Sequence, residues 1–374
     1  MGYELLVLLG ILLVVSLFIF MNRKKFVFTS FGKIFYFCMI RTRVGINLMN
    51  KLVERYGSFF KFIAVPSIVL GFIGMVAVVA DLMRSIFLLL SREATMTVGL
   101  VLPIQAKGVF YVPLAYWLIS VIVVMVIHEF GHGIYARLYR IPVKSTGLAF
   151  LGAIIPIIPA AFVEPDEESL QKQTAKKQLA VFSAGPTANI VTGFIFLLLV
   201  ISIFSPISNK FLANDGVEIV DVLHNSPASG VLSIGEVVSQ IDKSEVTTPE
   251  DFTAAFVPKQ AHASIALKTS EGVKVVNLGE NAKLGISIQQ HKSPTSSSFV
   301  LASFLWLHGL FYWLSLLSIG VGLFNLLPIG PIDGGRMLRV VLEKFTPHSR
   351  TVVKAVSFAL LAIVLSNILY AFVG

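Results

Sequence analysis

His128-Glu129-Phe130-Gly131-His132 carries the residue types that hydrolytic metal chemistry needs, at the spacing it needs. Two histidines four residues apart share one helical face, so both imidazoles can grip a single Zn²⁺. Glu129, between them, can take a proton from an attacking water. His128 and His132 are therefore candidate ligands and Glu129 a candidate general base. The signature ends an almost wholly apolar run, Val109 to Ile127, long enough with its continuation to cross a bilayer. Ionisable groups at membrane depth are costly and by default functional. The bland alternative, two surface histidines flanking a glutamate on an amphipathic helix, needs polar flanks that are absent here.

A catalytic zinc takes three protein ligands and keeps one position open. Two carboxylates compete for the third place. Glu164 stands in Glu-Pro-Asp-Glu-Glu, the arrangement that a glutamate-type zinc peptidase working at the membrane surface would use. Asp333 stands in Asn-Leu-Leu-Pro-Ile-Gly-Pro-Ile-Asp-Gly-Gly, a Pro- and Gly-rich break at the end of an apolar span. A carboxylate there needs a partner, and a metal at matching depth is one; a helix cap is the alternative. His224, His262, His291, His308 and His348 have no partner at ligand spacing. His308, inside an apolar span, reads as a hydrogen-bonded core histidine, and Trp306 and Trp313 as packing or interfacial anchors.

The elements that must position these residues are mostly membrane spans. Of 374 residues 55% are hydrophobic and only 14% charged, the composition of a multi-spanning membrane protein. The formal charge of +9 sits beside apolar runs, which points to anionic lipid and the positive-inside rule rather than to nucleic acid. A lone cysteine, Cys38, excludes an intramolecular disulfide and a cysteine-rich zinc site. Leu5 to Met21 reads as an uncleaved first span with its N-terminus outside, followed by a basic cytoplasmic segment. Within that segment Phe35 to Tyr56 suits helices lying in the lipid interface.

Further spans are expected at Phe62–Ala80, at Val109 to about Tyr135, at Leu179–Phe204 with an interruption at Gly185-Pro186, at Phe299–Leu327 and at Val352–Val373. Gly147 to Val163, apolar but broken by glycines and by Pro156 and Pro159, suits a re-entrant hairpin lining a cavity. The basic stretch Arg336 to Arg350 reads as a cytoplasmic loop. Residues 209–292 change character, with short alternating runs and turn signals and seven Lys against ten Asp and Glu. They form a small strand-rich soluble domain whose charge fits the non-cytoplasmic side. The expected fold is an α-helical polytopic membrane protein of about six transmembrane helices plus a re-entrant hairpin, with a small α+β domain rich in strands. The expected segments are 1–108, a two-span region with the basic stretch; 109–208, the first part of a catalytic membrane core; 209–293, the soluble domain; and 294–374, the second part of the core.

The motifs in their order resemble the site-2 protease family of intramembrane zinc metalloproteases. The matching residues are the histidine motif at 128–132, Gly185-Pro186-x-x-Asn189, and the Asn-x-x-Pro run ending in Asp333-Gly334-Gly335, together covering roughly Tyr116 to Arg339. The resemblance implies one catalytic zinc held by His128, His132 and Asp333, with Glu129 as general base and Asn189 assisting the developing oxyanion. It also implies a single-span membrane-protein substrate already trimmed by another protease. The home would be a prokaryotic cell membrane, with the active site towards the cytoplasm. The inserted domain resembles a PDZ domain, Asn225 to Val238 looking like its turn-and-helix signature, although a carboxylate-binding loop is not evident. A catalytically silent membrane scaffold would have no need of the base at Glu129.

Overall fold

The structure is a computed structural model and describes residues 2–31, 35–91, 99–104, 106, 109–152, 156–256, 262–279, 283–295 and 298–373. In chain order it runs α1 (Gly2–Met21), β1 (Phe26–Phe31), β2 (Phe35–Thr42), α2 (Ile46–Leu90), β3 (Leu100–Leu102), β4 (Val109–Tyr111), α3 (Leu114–Leu138), β5 (Val143–Gly152), β6 (Pro156–Pro165), α4 (Glu167–Gln171), α5 (Ala175–Leu199) and α6 (Ser205–Ser208). It continues with β7 (Leu212–Val222), β8 (Val237–Ile241), β9 (Ser244–Glu245), α7 (Pro249–Phe256), β10 (Ser264–Thr269), β11 (Gly272–Asn277), β12 (Ile286–Pro294), α8 (Phe299–Asn325), α9 (Asp333–Leu342) and α10 (Ser349–Val373). The chain divides into two units, residues 1–200 with 309–374, and residues 201–308.

Among the described residues five helices are long and apolar enough to cross a membrane: Ile46–Leu88, Leu114–Leu138, Ala175–Ser208, Phe299–Asn325 and Ser349–Tyr370. Their outward faces carry large apolar side chains such as Phe62, Phe87, Phe194, Leu198 and Phe358, all exposed. Water would not tolerate such a surface and lipid would, so this is a polytopic helical membrane protein. The first expected span is helical as α1, whose described apolar stretch is Leu12–Met21.

Several boundaries differ from the sequence reading. Phe35–Thr42 is a strand, not an interfacial helix: its aromatic and β-branched residues favour extended backbone, and β5 offers an edge, pairing Cys38 with Phe150 and Met39 with Ala149. Val109–Tyr111 is also a strand, and the third span starts only after Pro113, whose fixed φ suits a helix entrance. The fourth span is not interrupted at Gly185-Pro186; α5 runs through Pro186, buried on all sides from Ala180 to Thr187, where neighbouring helices compensate for the missing N–H. Part of the expected loop from Arg336 to Arg350 is the helix α9, with Asp333 in its first turn.

In the helical unit β5 and β6 form the expected hairpin, but as half of a sheet ordered β1-β2-β5-β6. The registers Phe150↔Pro159, Leu148↔Ala161 and Thr146↔Val163 fix which groups of β6 face its free edge. The core packs Tyr135, Ala136 and Ile141 with Val181 and Ala184 and with Leu326 and Met337, so α3, α5 and the approach to α9 meet at one place.

The second unit is an antiparallel sheet ordered β11-β10-β8-β7-β12, with β9 pairing β8. Alternation does the folding here: Ile265 and Leu267 of β10 point into a core with Val217, Ile219, Val238 and Ile241. The stretch from Asn225 is turns up to the start of β8, without the helix expected in it; the helix of this unit's sheet region is α7, at Pro249–Phe256.

Candidate metal centre

The third span delivers His128 and His132 one turn apart, and α9 begins with Asp333 facing them. His128 Nε2 lies 3.1 Å from Asp333 Oδ2, and His132 Nε2 lies 3.2 Å from the same oxygen. The two Nε2 atoms are 3.1 Å apart. Two imidazole lone pairs and a carboxylate converge on one point, and His128, His132 and Asp333 form the one group among the described residues able to hold a metal ion. His128 and Asp333 are each 8% exposed.

What lies around these atoms fits a metal. His132 Nδ1 stands 2.7 Å from the Val181 carbonyl of α5, which accepts its proton and leaves Nε2 free to coordinate. His128 Nδ1 faces the Asn189 side-chain amide at 3.2 Å. Asn189 is fully buried, and its Oδ1 has no partner. Gly185 completes the cradle: a Cβ there would stand 2.8 Å from His128 Nε2 and closer still to His132 Nε2. Only hydrogen fits beside the ligand atoms. Gly131 serves α3–α5 contact, since its Cβ would meet the Ala184 carbonyl oxygen at 2.8 Å. Gly133 likewise packs against Met49.

Glu129 is brought to the same cleft, a space of about 280 Å³ lined by the triad, Phe162, Val163, Asn325 and Arg336. Its Oε2 accepts the Val163 N–H at 2.7 Å. Val163 is therefore in the outward-facing set of β6 amides, with Ala161 and Pro159 two and four residues before it. Glu164 is elsewhere engaged. Its Oε2 accepts from the Ser145 hydroxyl at 2.6 Å and from Arg41 Nε at 3.2 Å. The Ser145 hydroxyl, with help from Arg41 and against partial desolvation, holds its carboxyl below the usual range. It does not join the histidines.

Sequence reasoning missed three participants. The Val163 amide could not be found, because any residue but proline supplies an N–H. The Val181 carbonyl is equally silent. Arg336 carried a signal, lying three residues after Asp333 and so on its helical face. His308 is held by Ser208 Oγ at 2.9 Å from Nδ1 and stacks on Phe204, as a core histidine would.

Comparison with known proteins agrees with this chemistry. An uncharacterised protein of Methanocaldococcus jannaschii is 28% identical over 342 residues, 88% of this chain and 83% of that protein. A membrane-bound transcription factor site-2 protease homolog of Arabidopsis thaliana is 28% identical over 161 residues, 42% of this chain and 30% of the plant protein. A Clostridium perfringens protein provisionally named as a zinc metalloprotease is 22% identical over 298 residues, 60% of this chain and 87% of its own. The profile of Peptidase family M50 matches residues 116–366. The chain belongs to peptidase family M50, the site-2 protease family of membrane zinc metalloproteases.

Proposed function

We propose that this protein is an intramembrane endopeptidase that cuts within or near the transmembrane segment of a single-span membrane protein, already trimmed by another protease. One observation carries the reading: the two imidazole nitrogens and the Asp333 carboxylate converge within 3.2 Å, the histidines on a helix long and apolar enough to cross a membrane and Asp333 in the first turn of α9, with Glu129 beside them. His128, His132 and Asp333 would hold one zinc. When bound, zinc supplies Lewis acidity, bringing a water towards ionisation near neutral pH and polarising the scissile carbonyl.

The remaining steps belong to the chain's own groups. Glu129 takes the proton of the attacking water on one carboxylate oxygen while the Val163 N–H holds the other. The same carboxyl then gives that proton to the leaving amine. Asn189 Nδ2 stands 3.2 Å from His128 Nδ1, beside the ring, and the same side-chain amide would offer an N–H donor to the developing oxyanion.

A helical substrate must unwind to offer its carbonyls, and β6, an edge strand, supplies a template for strand addition. Pro159 has no N–H on that edge and the Val163 N–H serves Glu129, so Ala161 is the amide left for the substrate backbone.

The same reading assigns six spans with both termini outside, and a prokaryotic cell membrane with the metal centre towards the cytoplasm. Residues 1–108 would form the two-span region with the basic stretch, 109–208 and 294–374 the two parts of the catalytic core, and 209–293 a PDZ-like domain outside. The basic 22–61 segment and the acidic balance of 209–292 support this orientation.

The test is zinc content and cleavage of a helix-destabilised single-span substrate by purified wild type, Glu129→Gln, Asp333→Ala and Glu164→Ala. Glu129→Gln is expected to keep zinc and lose cleavage, Asp333→Ala to lose both and Glu164→Ala neither. Zinc loss in Glu164→Ala alone would move the centre to the membrane surface, and a wild type without zinc or cleavage would leave a scaffold.

A further inference from the structure

Beside the metal cleft lies a second cavity of about 440 Å³, lined by Glu167, Gln178, Phe182, Arg336, Arg339 and Glu343 among others. Phe182, Pro331 and Arg336 line both spaces, so Arg336 stands at the boundary between them. Its guanidinium carbon lies 4.3 Å from the centre of the Phe182 ring. One of its nitrogens, Nη2, donates to Glu167 Oε2 at 2.6 Å. Arg339, a turn further along α9, engages Glu343 through Nε alone, at 2.8 Å. Each guanidinium carries five N–H donors, so among the described residues most of this donor capacity is unspent.

Position gives this spare capacity a use. α9 begins with Asp333, and Arg336 and Arg339 follow at successive turns, so the helix leads from the metal ligand along a row of two cations. Among the described residues Arg336 is the one arginine or lysine lining the metal cleft. Stacking on Phe182 holds the guanidinium plane, and a held fork binds a carboxylate through two parallel hydrogen bonds. Glu167 is 55% exposed, so it can swing aside or share the guanidinium with a second carboxylate.

We propose that Arg336 is a carboxylate-binding subsite for the peptide handled at the metal centre, with the adjoining cavity receiving the chain that bears that carboxylate. The inference rests on the proteolytic reading above. Hydrolysis of a peptide bond adds water across it and yields one new carboxylate and one amine, and this carboxylate appears within the cleft that Arg336 lines. An acidic side chain of the substrate beside the cut bond offers the same chemistry.

The experiment measures binding to full-length protein in detergent, stripped of zinc so that the metal does not capture the anion. The probes are a short Leu/Ala peptide with a free C-terminal carboxylate, its C-terminal amide, and the amide carrying one internal Glu. Wild type is expected to bind the free-carboxylate peptide at least about tenfold more tightly than the amide. In Arg336→Gln that preference falls to about onefold while amide affinity is unchanged, and Arg336→Lys retains part of it. Glu167→Gln, which keeps Arg336 and frees it, raises the preference and covers the case in which Arg336 variants misfold.

If only the internal Glu restores tight binding, the source is a substrate side chain and the subsite still stands. Equal binding of carboxylate and amide by wild type, or a preference that survives Arg336→Gln and ignores Glu167→Gln, overturns it. Cleavage by zinc-loaded wild type is scored separately, so a failed protease reading and a failed subsite give different results.

Discussion

Asp333 in the helical unit and Glu236 in the sheet unit are both nearly closed off, at 8% and 2% exposure, and they differ in what stands against them. Glu236 meets a permanent cation, Lys274 Nζ at 2.5 Å, and the Ser233 N–H at 2.7 Å. Charge is answered by charge, and the pair is part of the sheet's architecture. Asp333 meets two imidazole nitrogens. Lone pairs and a carboxylate aimed at one point repel one another unless a cation enters, which is why that arrangement is a binding site. Burial of an acid therefore does not distinguish scaffold from chemistry; the identity of the partner does.

The two acids part most at Asp333. Asp333→Asn keeps the shape and removes the charge, and zinc content of the purified protein is expected to fall from one ion per chain to none. If zinc stays, Asp333 is a structural acid like Glu236. Gly185→Ala comes next. Its methyl would occupy the space against both Nε2 atoms, so zinc affinity should drop by about 10–100-fold, the scale of disturbing the shell around a site. Competition with a calibrated chelator reads this directly.

Within the helical unit the β6 edge assigns separate tasks to two backbone amides. Val163→Pro removes the N–H that holds Glu129 without touching a β5–β6 ladder bond, because that N–H faces outward. Zinc should be retained, with kcat reduced about 10–100-fold as the base loses its orientation. Ala161→Pro removes the other outward amide and should raise KM instead. The reverse split in steady-state cleavage would refute the assignment of the two amides.

These cases also mark what a sequence conveys. The histidine motif, Asp333 and the hairpin were legible because their spacing or their cost at membrane depth leaves few other uses. Alternation in the run from Val217 to Val220 likewise announced the sheet unit, whose core holds Val217 and Ile219. The strand at Phe35–Thr42 was not legible, since its partner β5 lies more than a hundred residues away and an isolated apolar-basic stretch is as well suited to an interface helix. Continuity through Pro186 was hidden for a related reason: compensation for a missing N–H comes from other helices. The roles of the Val163 amide and the Val181 carbonyl belong to backbone groups, which every residue type shares.

Glu236 supplies the smallest effect and the control. Burial by itself would raise its carboxyl, but Lys274, with Thr269 and the Ser233 N–H, outweighs that and holds it below the usual range. A carboxylate with a lowered folded value stabilises above its unfolded value, about 4.3, and that contribution is lost as pH falls through the lowered value. Glu236→Gln should therefore lower the midpoint of heat-induced protease sensitivity within residues 201–308 by about 5 °C at neutral pH, with a smaller difference from wild type in acid. Zinc content should not change. Zinc loss in Glu236→Gln would mean that this pair and the metal centre are energetically linked, and the two buried acids would no longer serve separate ends.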